Sequence, residues 1–225
     1  MDNEKIIWDY FKSKGLSDFG VAGLMGNLYA ESALDPTNLQ QTYERKLKYT
    51  DEAYTKAVDD GTYQSFIRDS AGYGLAQWTY WTRKRSLLHY AQEHEKSIGD
   101  LGMQLDFLYK ELSENYKAVL SVLVNATSVL EASNIFLFKF ERPANQDESV
   151  QQKRASYGQK YYDKFAKVVI DDTTDNIPDE WAKEAFNWAI ERGILLGDGK
   201  DYKLHSNCTR QEMLVFLYRL YKVMQ

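Results

Sequence analysis

Cysteine occurs once, at Cys208, which excludes an intrachain disulfide and a thiolate-held zinc ion. The three histidines, His89, His94 and His205, stand too far apart for a metal signature, and no Gly-x-Ser-x-Gly motif accompanies them. No metal and no other cofactor is expected. With only 3 prolines and 13 glycines, a β-rich or linker-dominated chain is disfavoured, so helices are expected. No run approaches the roughly 18 apolar residues of a membrane span. The first five residues, Met1 to Lys5, have neither the basic start nor the apolar core of a secretory signal. A net charge of -5 leaves no basic footprint for nucleic acid. The one basic run, Arg83-Lys84-Arg85, reads as a solvated helix face.

What is present is apolar mass. Hydrophobic residues make up 44% of 225 residues, enough for a real core and more than one small domain needs. Turn-forming Asp171 to Asp175 marks a boundary, giving a large unit over 1–167 and a small one over 168–225. A short extended segment is expected at Val168 to Ile170. The expected fold class is mainly α.

The helix from Ser17 to Glu31 organises the larger unit. Val21, Leu24, Met25 and Leu28 recur at i, i+3, i+4 and i+7, which predicts one buried face. Glu31 falls at the margin of that arc, about 20° from Leu24 at ~100° per residue. Asp35-Pro36 follows, so the helix ends there and Glu31 opens onto a loop. Partial desolvation and the negative helix end disfavour its charged form, as a general acid requires. The plainer alternative is a solvated glutamate at a fraying helix end. About forty residues on, Asp69 precedes Ala71-Gly72-Tyr73-Gly74-Leu75-Ala76-Gln77-Trp78. Its glycines permit close backbone approach, and Gln77 and Trp78 offer an amide and an aromatic face.

Other elements follow from periodicity and caps. Asn3 is expected to cap a first helix with Ile6, Ile7, Tyr10 and Phe11 inward. Thr50 caps a short helix to Val58. Residues 37–68 otherwise read as a groove wall or a solvated insertion. Trp81, Leu87, Leu88 and Ala91 mark the next helix, and Leu101, Leu105, Leu108 and Leu112 form a core stripe. Tyr116 to Leu123 gives a short helix, Ser128 to Glu131 a capping box, and Pro143 ends the segment that carries Glu141-Arg142. Val150, Arg154, Tyr157 and Tyr161 line the last helix of the unit.

Glu31-Ser32 and Gly74-Leu75-Ala76-Gln77 resemble the paired signatures of goose-type lysozymes and soluble lytic transglycosylases. Residues 1 to about 167 are similar to the phage tail lysozyme family, carried by Gly26 to Ser32, Ala71 to Thr79 and Phe140 to Ala144. The resemblance implies a lysozyme-like domain that cleaves the β-1,4 bond between N-acetylmuramic acid and N-acetylglucosamine in peptidoglycan. Glu31 would protonate the leaving oxygen, and Asp69 would orient water in an inverting mechanism. For Asp69 the alternative is a loop aspartate bonding its own backbone. Ser32, Tyr73, Gln77 and Trp78 are the candidate substrate contacts, with loop anchoring the alternative for Trp78. In the family reading Glu141-Arg142 braces the site; an ordinary surface pair is the other reading. Without a placed second carboxylate, a lytic transglycosylase giving 1,6-anhydro products becomes the better reading. A non-catalytic wall binder or phage structural protein is the rival from another class.

Residues 176–225 carry Ile177-Pro178-Asp179-Glu180-Trp181, Ile190 to Ile194 and Cys208 to Met213, and resemble a single S-layer-homology module. That implies binding to a secondary wall polymer, with Arg210 and Trp181 as candidate contacts. For Trp181 and Trp188 core packing is the favoured reading, and for Arg210 solvation is the alternative. Gly193 stops the first helix, a Gly-Asp-Gly turn lies at 197–199, and Met213, Phe216, Leu217 and Leu220 are expected to be the buried face of the second. So small a core suggests a partner, including a second copy of the chain. The expected setting is a phage or prophage lysin made in the host cytoplasm without a leader. It would act on a Gram-positive wall after release through a holin or delivery on a tail.

Overall fold

Three glycines, Gly20, Gly23 and Gly26, determine how the central helix packs. In the computed structural model, which describes residues 3–166, 176–197 and 201–224, α1 spans Asn3–Ser13 and α2 spans Asp18–Ser32. Ser17 caps α2 by accepting the Gly20 N–H at 2.9 Å. A Cβ at Gly20 would lie 1.8 Å from the Leu123 carbonyl oxygen, and one at Gly23 2.5 Å from the Ala132 Cβ. At Gly26 it would lie 2.4 Å from the Arg154 carbonyl oxygen. Each glycine therefore admits one neighbour: α7 (Lys117–Asn125), α8 (Val129–Phe136) or α9 (Glu148–Phe165).

The expectation of one buried face is too narrow. Val21, Leu24, Met25 and Leu28 are fully buried, and so is every other residue from Gly20 to Leu28. Helices on all sides replace a polar face. Glycine in a helix costs up to ~1 kcal/mol against alanine, and the close backbone contacts it permits offset that penalty.

The remaining elements of this unit are α3 (Gln41–Leu47), α4 (Asp51–Asp59), α5 (Trp81–Glu93) and α6 (Leu101–Asn115). Thr50 caps α4 as expected; α3 carries no periodic signal and was not foreseen. Asn3 is the first described residue of α1, and its amide donates to the Leu34 carbonyl. Inward residues of α1 are Ile7, Trp8 and Phe11, with Ile6 and Tyr10 half-buried. Residues 37–68 are not a solvated insertion: Leu39, Tyr54 and Phe66 are buried, and Tyr54 packs on Tyr63, Phe66 and Tyr73. α8 continues into a five-residue π-helical turn, Leu137–Glu141, which ends at Arg142 with φ 52°.

The Arg83-Lys84-Arg85 run is corrected. Consecutive helical residues point ~100° apart, so Lys84 falls on the face of Leu87 and Ala91 and is fully buried. Arg83 pairs with Glu111, and only Arg85 is exposed.

Among the described residues there are eleven α-helices and no β-strand; Leu39, Tyr73 and Trp78 form only isolated bridges. The fold is mainly α. The chain divides into two compact units, Met1–Phe165 and Ala166–Gln225. The segments at Val168 to Ile170 and Asp171 to Asp175, and positions 198 and 199 of the Gly-Asp-Gly turn, lie outside the described residues.

The second unit has α10 (Lys183–Glu191), preceded by a single 3-10 turn, and α11 (Arg210–Val223), capped reciprocally by Thr209 and Glu212. Its buried side chains include Phe186, Ile194 and Asn176 rather than the tryptophans. Trp181 is 86% exposed, which rules out core packing there. Phe216 and Leu220 are half-buried, but Met213 and Leu217 are exposed. The α11 spacing is amphipathic as read; nothing in the described unit covers much of that face.

Candidate active site

Glu31 lies in the last turn of α2, where the helix emerges from the core. Ala33 and Leu34 then take left-handed backbone (φ 53° and 64°) and turn the chain away. The Glu31 side chain is 20% exposed and paired with Arg154 of α9, Nη2 to Oε1 at 2.5 Å. One turn earlier, fully buried Asn27 steers that guanidinium. Its carbonyl and Oδ1 accept from Arg154 Nη1, while its amide donates to Gly23, the Ser133 carbonyl and the Ser133 hydroxyl. Partial desolvation and the negative helix end were expected to act on Glu31. Arg154 adds an ionic partner that takes the carboxylate form.

Ser32 joins the helix to the glycine loop. Its buried hydroxyl lies 3.1 Å from the Leu28 carbonyl and 2.9 Å from the Leu75 carbonyl, so one proton serves either acceptor. Ser32 is thus an internal tie rather than an open substrate contact. The loop is held from beneath by Gln104, fully buried, whose Oε1 accepts from Leu75 N–H and whose Nε2 donates to Pro36 and Ile98. Gly74, at φ 74°, leaves room for that amide; a Cβ there would lie 2.7 Å from it.

The other loop candidates face inward. Tyr73 is fully buried and bonds Thr55 at 2.6 Å, and burial pushes its phenol well above the usual tyrosine range. Trp78 is also fully buried and donates to Glu111 at 2.8 Å, which is the anchoring alternative. Gln77 Nε2 donates to Gly74 within the loop and to Asn38 in the segment that follows α2. The exposed aromatic faces come next in the chain: Tyr80 at 63% and Trp81 at 47%. They line a depression of about 990 Å³ with Gln64, Arg68, Thr79 and Arg85, and Arg85 lies over the Trp81 ring. The spacing had marked Trp81 only as part of a helix and did not point to this surface.

Asp69 is committed to a buried cluster. Oδ1 accepts from Lys84 Nζ at 2.6 Å and from Ala71 N–H; Oδ2 accepts from the Tyr54 and Tyr63 hydroxyls. Its side chain is 3% exposed. Burial lowers the Lys84 ammonium from its usual range, with Asp69 opposing, and raises both phenols. A base that activates water needs a free lone pair and solvent. Asp69 has neither, and among the described residues it makes no hydrogen bond or ion pair with Glu31.

Three further charged groups complete the Glu31 side. Arg83 grips Glu111 through two bonds of 2.8 Å and lies over the Phe140 ring at 4.5 Å. Glu141, closing the π turn, has no such partner: its Oε1 is shut from solvent without a hydrogen bond among the described residues. Burial raises its carboxyl well above the ordinary range; Glu31 and Glu111 add to this, and Arg83 and Arg154 oppose it. Sequence reading had named Glu141 only as part of a bracing pair and Arg154 only as a helix lining. Arg142 itself is exposed and bonds the Lys139 carbonyl. Arg210 is exposed at the start of α11. Among the described residues no three His, Cys, Asp or Glu side chains group as a metal site.

A helical domain that ends its buried central helix in a half-buried glutamate, tied to a glycine loop, has the build of the lysozyme-like class. Residues 2–165 match the family model for phage tail lysozyme, and the chain belongs to that family. It is 26% identical over 164 residues to Morphogenesis protein 1 of Bacillus phage B103. The match covers 69% of this chain and 38% of that relative, so the chain spans well under half its length.

Proposed function

We propose that this protein cleaves the β-1,4 bond between N-acetylmuramic acid and N-acetylglucosamine in peptidoglycan, with Glu31 as the proton donor. Family membership supports action on the wall. The observation that carries the rest is the placing of Glu31: a carboxyl at a helix end, 20% exposed, on a turn fastened to the glycine loop through Ser32 and Leu75. A sugar alkoxide leaves poorly unless protonated, which is the task of such a group. The glycan strand would stack on Tyr80 and Trp81, the aromatic faces open to it.

The engagement of Asp69 favours a second reading, in which the muramyl 6-hydroxyl attacks instead of water. Mass spectrometry of digested peptidoglycan separates the two. Reducing-end muropeptides mark hydrolysis, and products lighter by one water mark the 1,6-anhydro route. Wall polymer that stays intact under the wild-type protein would leave only a binding role.

The second unit would contribute by holding a wall polymer, with Trp181 and Arg210 exposed for contact. Its single-module resemblance to S-layer-homology domains supports that role, as does the open apolar spacing of α11 for self-association. A Gram-positive host wall, reached through a holin or on a tail, is the corresponding setting.

A further inference from the structure

Arg68 and Arg85 reach the surface without an acidic neighbour. Asp69 follows Arg68 in the chain, but buried Lys84 takes it inward and its side chain is nearly enclosed. Arg68 stays exposed, as does Arg85, and neither guanidinium has a hydrogen-bond acceptor or ion-pair partner among the described residues. Both line the depression of about 990 Å³ beside Tyr80 and Trp81, and no carboxylate is among its lining residues. In a chain of net charge -5, two unpaired guanidiniums in one depression make a local positive site.

Each cation is held in place. Arg85 stands one turn after Trp81 on α5 and lies over its ring, 5.0 Å from the centroid. Such stacking engages the face of a guanidinium and leaves its N–H edges free for a planar acceptor. Arg68 belongs to a turn in which its own N–H and that of Asp69 both donate to the Ser65 carbonyl, at 2.8 and 2.9 Å. Asp69 is fixed by Lys84, Tyr54 and Tyr63, so the backbone that carries Arg68 is tied to the buried cluster.

We propose that this depression is a subsite for the free carboxylates of the peptide that peptidoglycan carries on its muramyl residues. Arg68 and Arg85 read the carboxylates, beside a sugar stacked on Tyr80 or Trp81. This rests on the glycosidase reading and narrows its substrate to glycan bearing acidic peptides, in preference to bare or amidated glycan. Guanidinium and carboxylate are both planar and pair through two parallel hydrogen bonds. A phosphate polymer or a nucleic acid would need a row of cations to follow its repeating charge; here two stand together. An uncharged strand would leave both unused. The rings of Tyr80 and Trp81, with centroids 6.1 Å apart, supply the apolar part of the surface, and the volume is at the large end of small-molecule sites.

The test compares purified peptidoglycan with the same material after its carboxylates are converted to carboxamides. Wild type is expected to cleave the acid form with kcat/KM about tenfold higher, the difference residing in KM, as for the loss of one charge-assisted contact. In Arg68→Gln/Arg85→Gln that preference is expected to fall to about twofold or less. Both positions are exposed, so the variant is expected to fold. Lys56→Gln, at an exposed cation outside the depression, is expected to keep the preference. A wild type indifferent to amidation, or a double variant that retains the full preference, overturns the proposal. Peptidoglycan is assayed before and after hydrofluoric acid removes phosphate polymers; an arginine effect that disappears with the phosphate also overturns it. A wild type that cleaves nothing defeats the glycosidase reading, and binding then decides the subsite. Titration with a muramyl peptide is expected to move the Arg68 and Arg85 side-chain ¹⁵N signals, and its carboxamide to leave them in place. Signals unmoved by the acid overturn the subsite. An active wild type without the preference defeats this inference alone.

Discussion

Gly26→Ala tests whether the fold positions the site as described. The added Cβ would stand 2.4 Å from the Arg154 carbonyl oxygen and 2.5 Å from the Gly158 nitrogen, both backbone atoms of α9. Ordinary contact begins near 3.4 Å, so the two helices must part by about 1 Å. Overpacking of this kind costs typically 1–3 kcal/mol, and the upper end applies because no flexible side chain can yield. Alanine recovers up to ~1 kcal/mol of helix propensity. The net loss is about 2 kcal/mol, or roughly 4–8 °C in Tm for a chain of this size. The same parting draws Arg154 from Glu31, and misplacement by ~1 Å can lower turnover 10²-fold. Thermal melts and peptidoglycan cleavage below the melting range read both effects. Gly102→Ala is the control, since its Cβ would meet only the Asp100 side chain, at 3.3 Å; it should be neutral. If Gly26→Ala melts and cleaves like the wild type, the close-packing argument is wrong.

Lys84→Met strips Asp69 of its buried counter-ion and should destabilise by about 3–5 kcal/mol, or roughly 6–20 °C in Tm. Folded Asp69→Asn should keep turnover within about twofold, and a loss of ~10²-fold at low temperature would return Asp69 to the chemistry. For Glu141, the raised native value means the folded state holds a proton that the unfolded chain releases above about pH 4.3. Its contribution is complete below that pH and is lost as pH rises through the native value. Glu141→Gln should therefore gain on the wild type by up to ~1.4 kcal/mol, about 3–6 °C, per pH unit across that window. A Tm difference independent of pH would contradict this. Trp181→Ala, at an 86% exposed position, should change stability by no more than about 0.5 kcal/mol while weakening co-sedimentation with cell walls. Undiminished co-sedimentation would remove Trp181 as a contact.

Much of the helical scaffold was legible because periodicity reports which residues share a face. Leu105, Leu108 and Leu112 are buried as their stripe indicates, and Thr50, Ser128 and Thr209 cap the helices they precede. Periodicity does not report what covers a face. That is why α2 is enclosed on every side and why Met213 and Leu217 stand exposed on α11. Lys84 could have been found, since it repeats with Leu87 and Ala91; reading it as part of a charge run hid the spacing. Glu31 and its link to the glycine loop were readable from motif and proline. Arg154 was not, because its partner Glu31 lies over a hundred residues away and only the packing of α9 against α2 brings them together; nor was the burial of Glu141, which depends on the tertiary surroundings of the π turn.

The central claim is that Glu31 delivers the proton that breaks the glycan. Its most direct measurement is the release of new sugar ends from purified peptidoglycan by wild type and Glu31→Gln at matched folded concentration. The account expects steady release by the wild type and a fall of about 10²–10⁴-fold in the variant. Equal release by both proteins would contradict it.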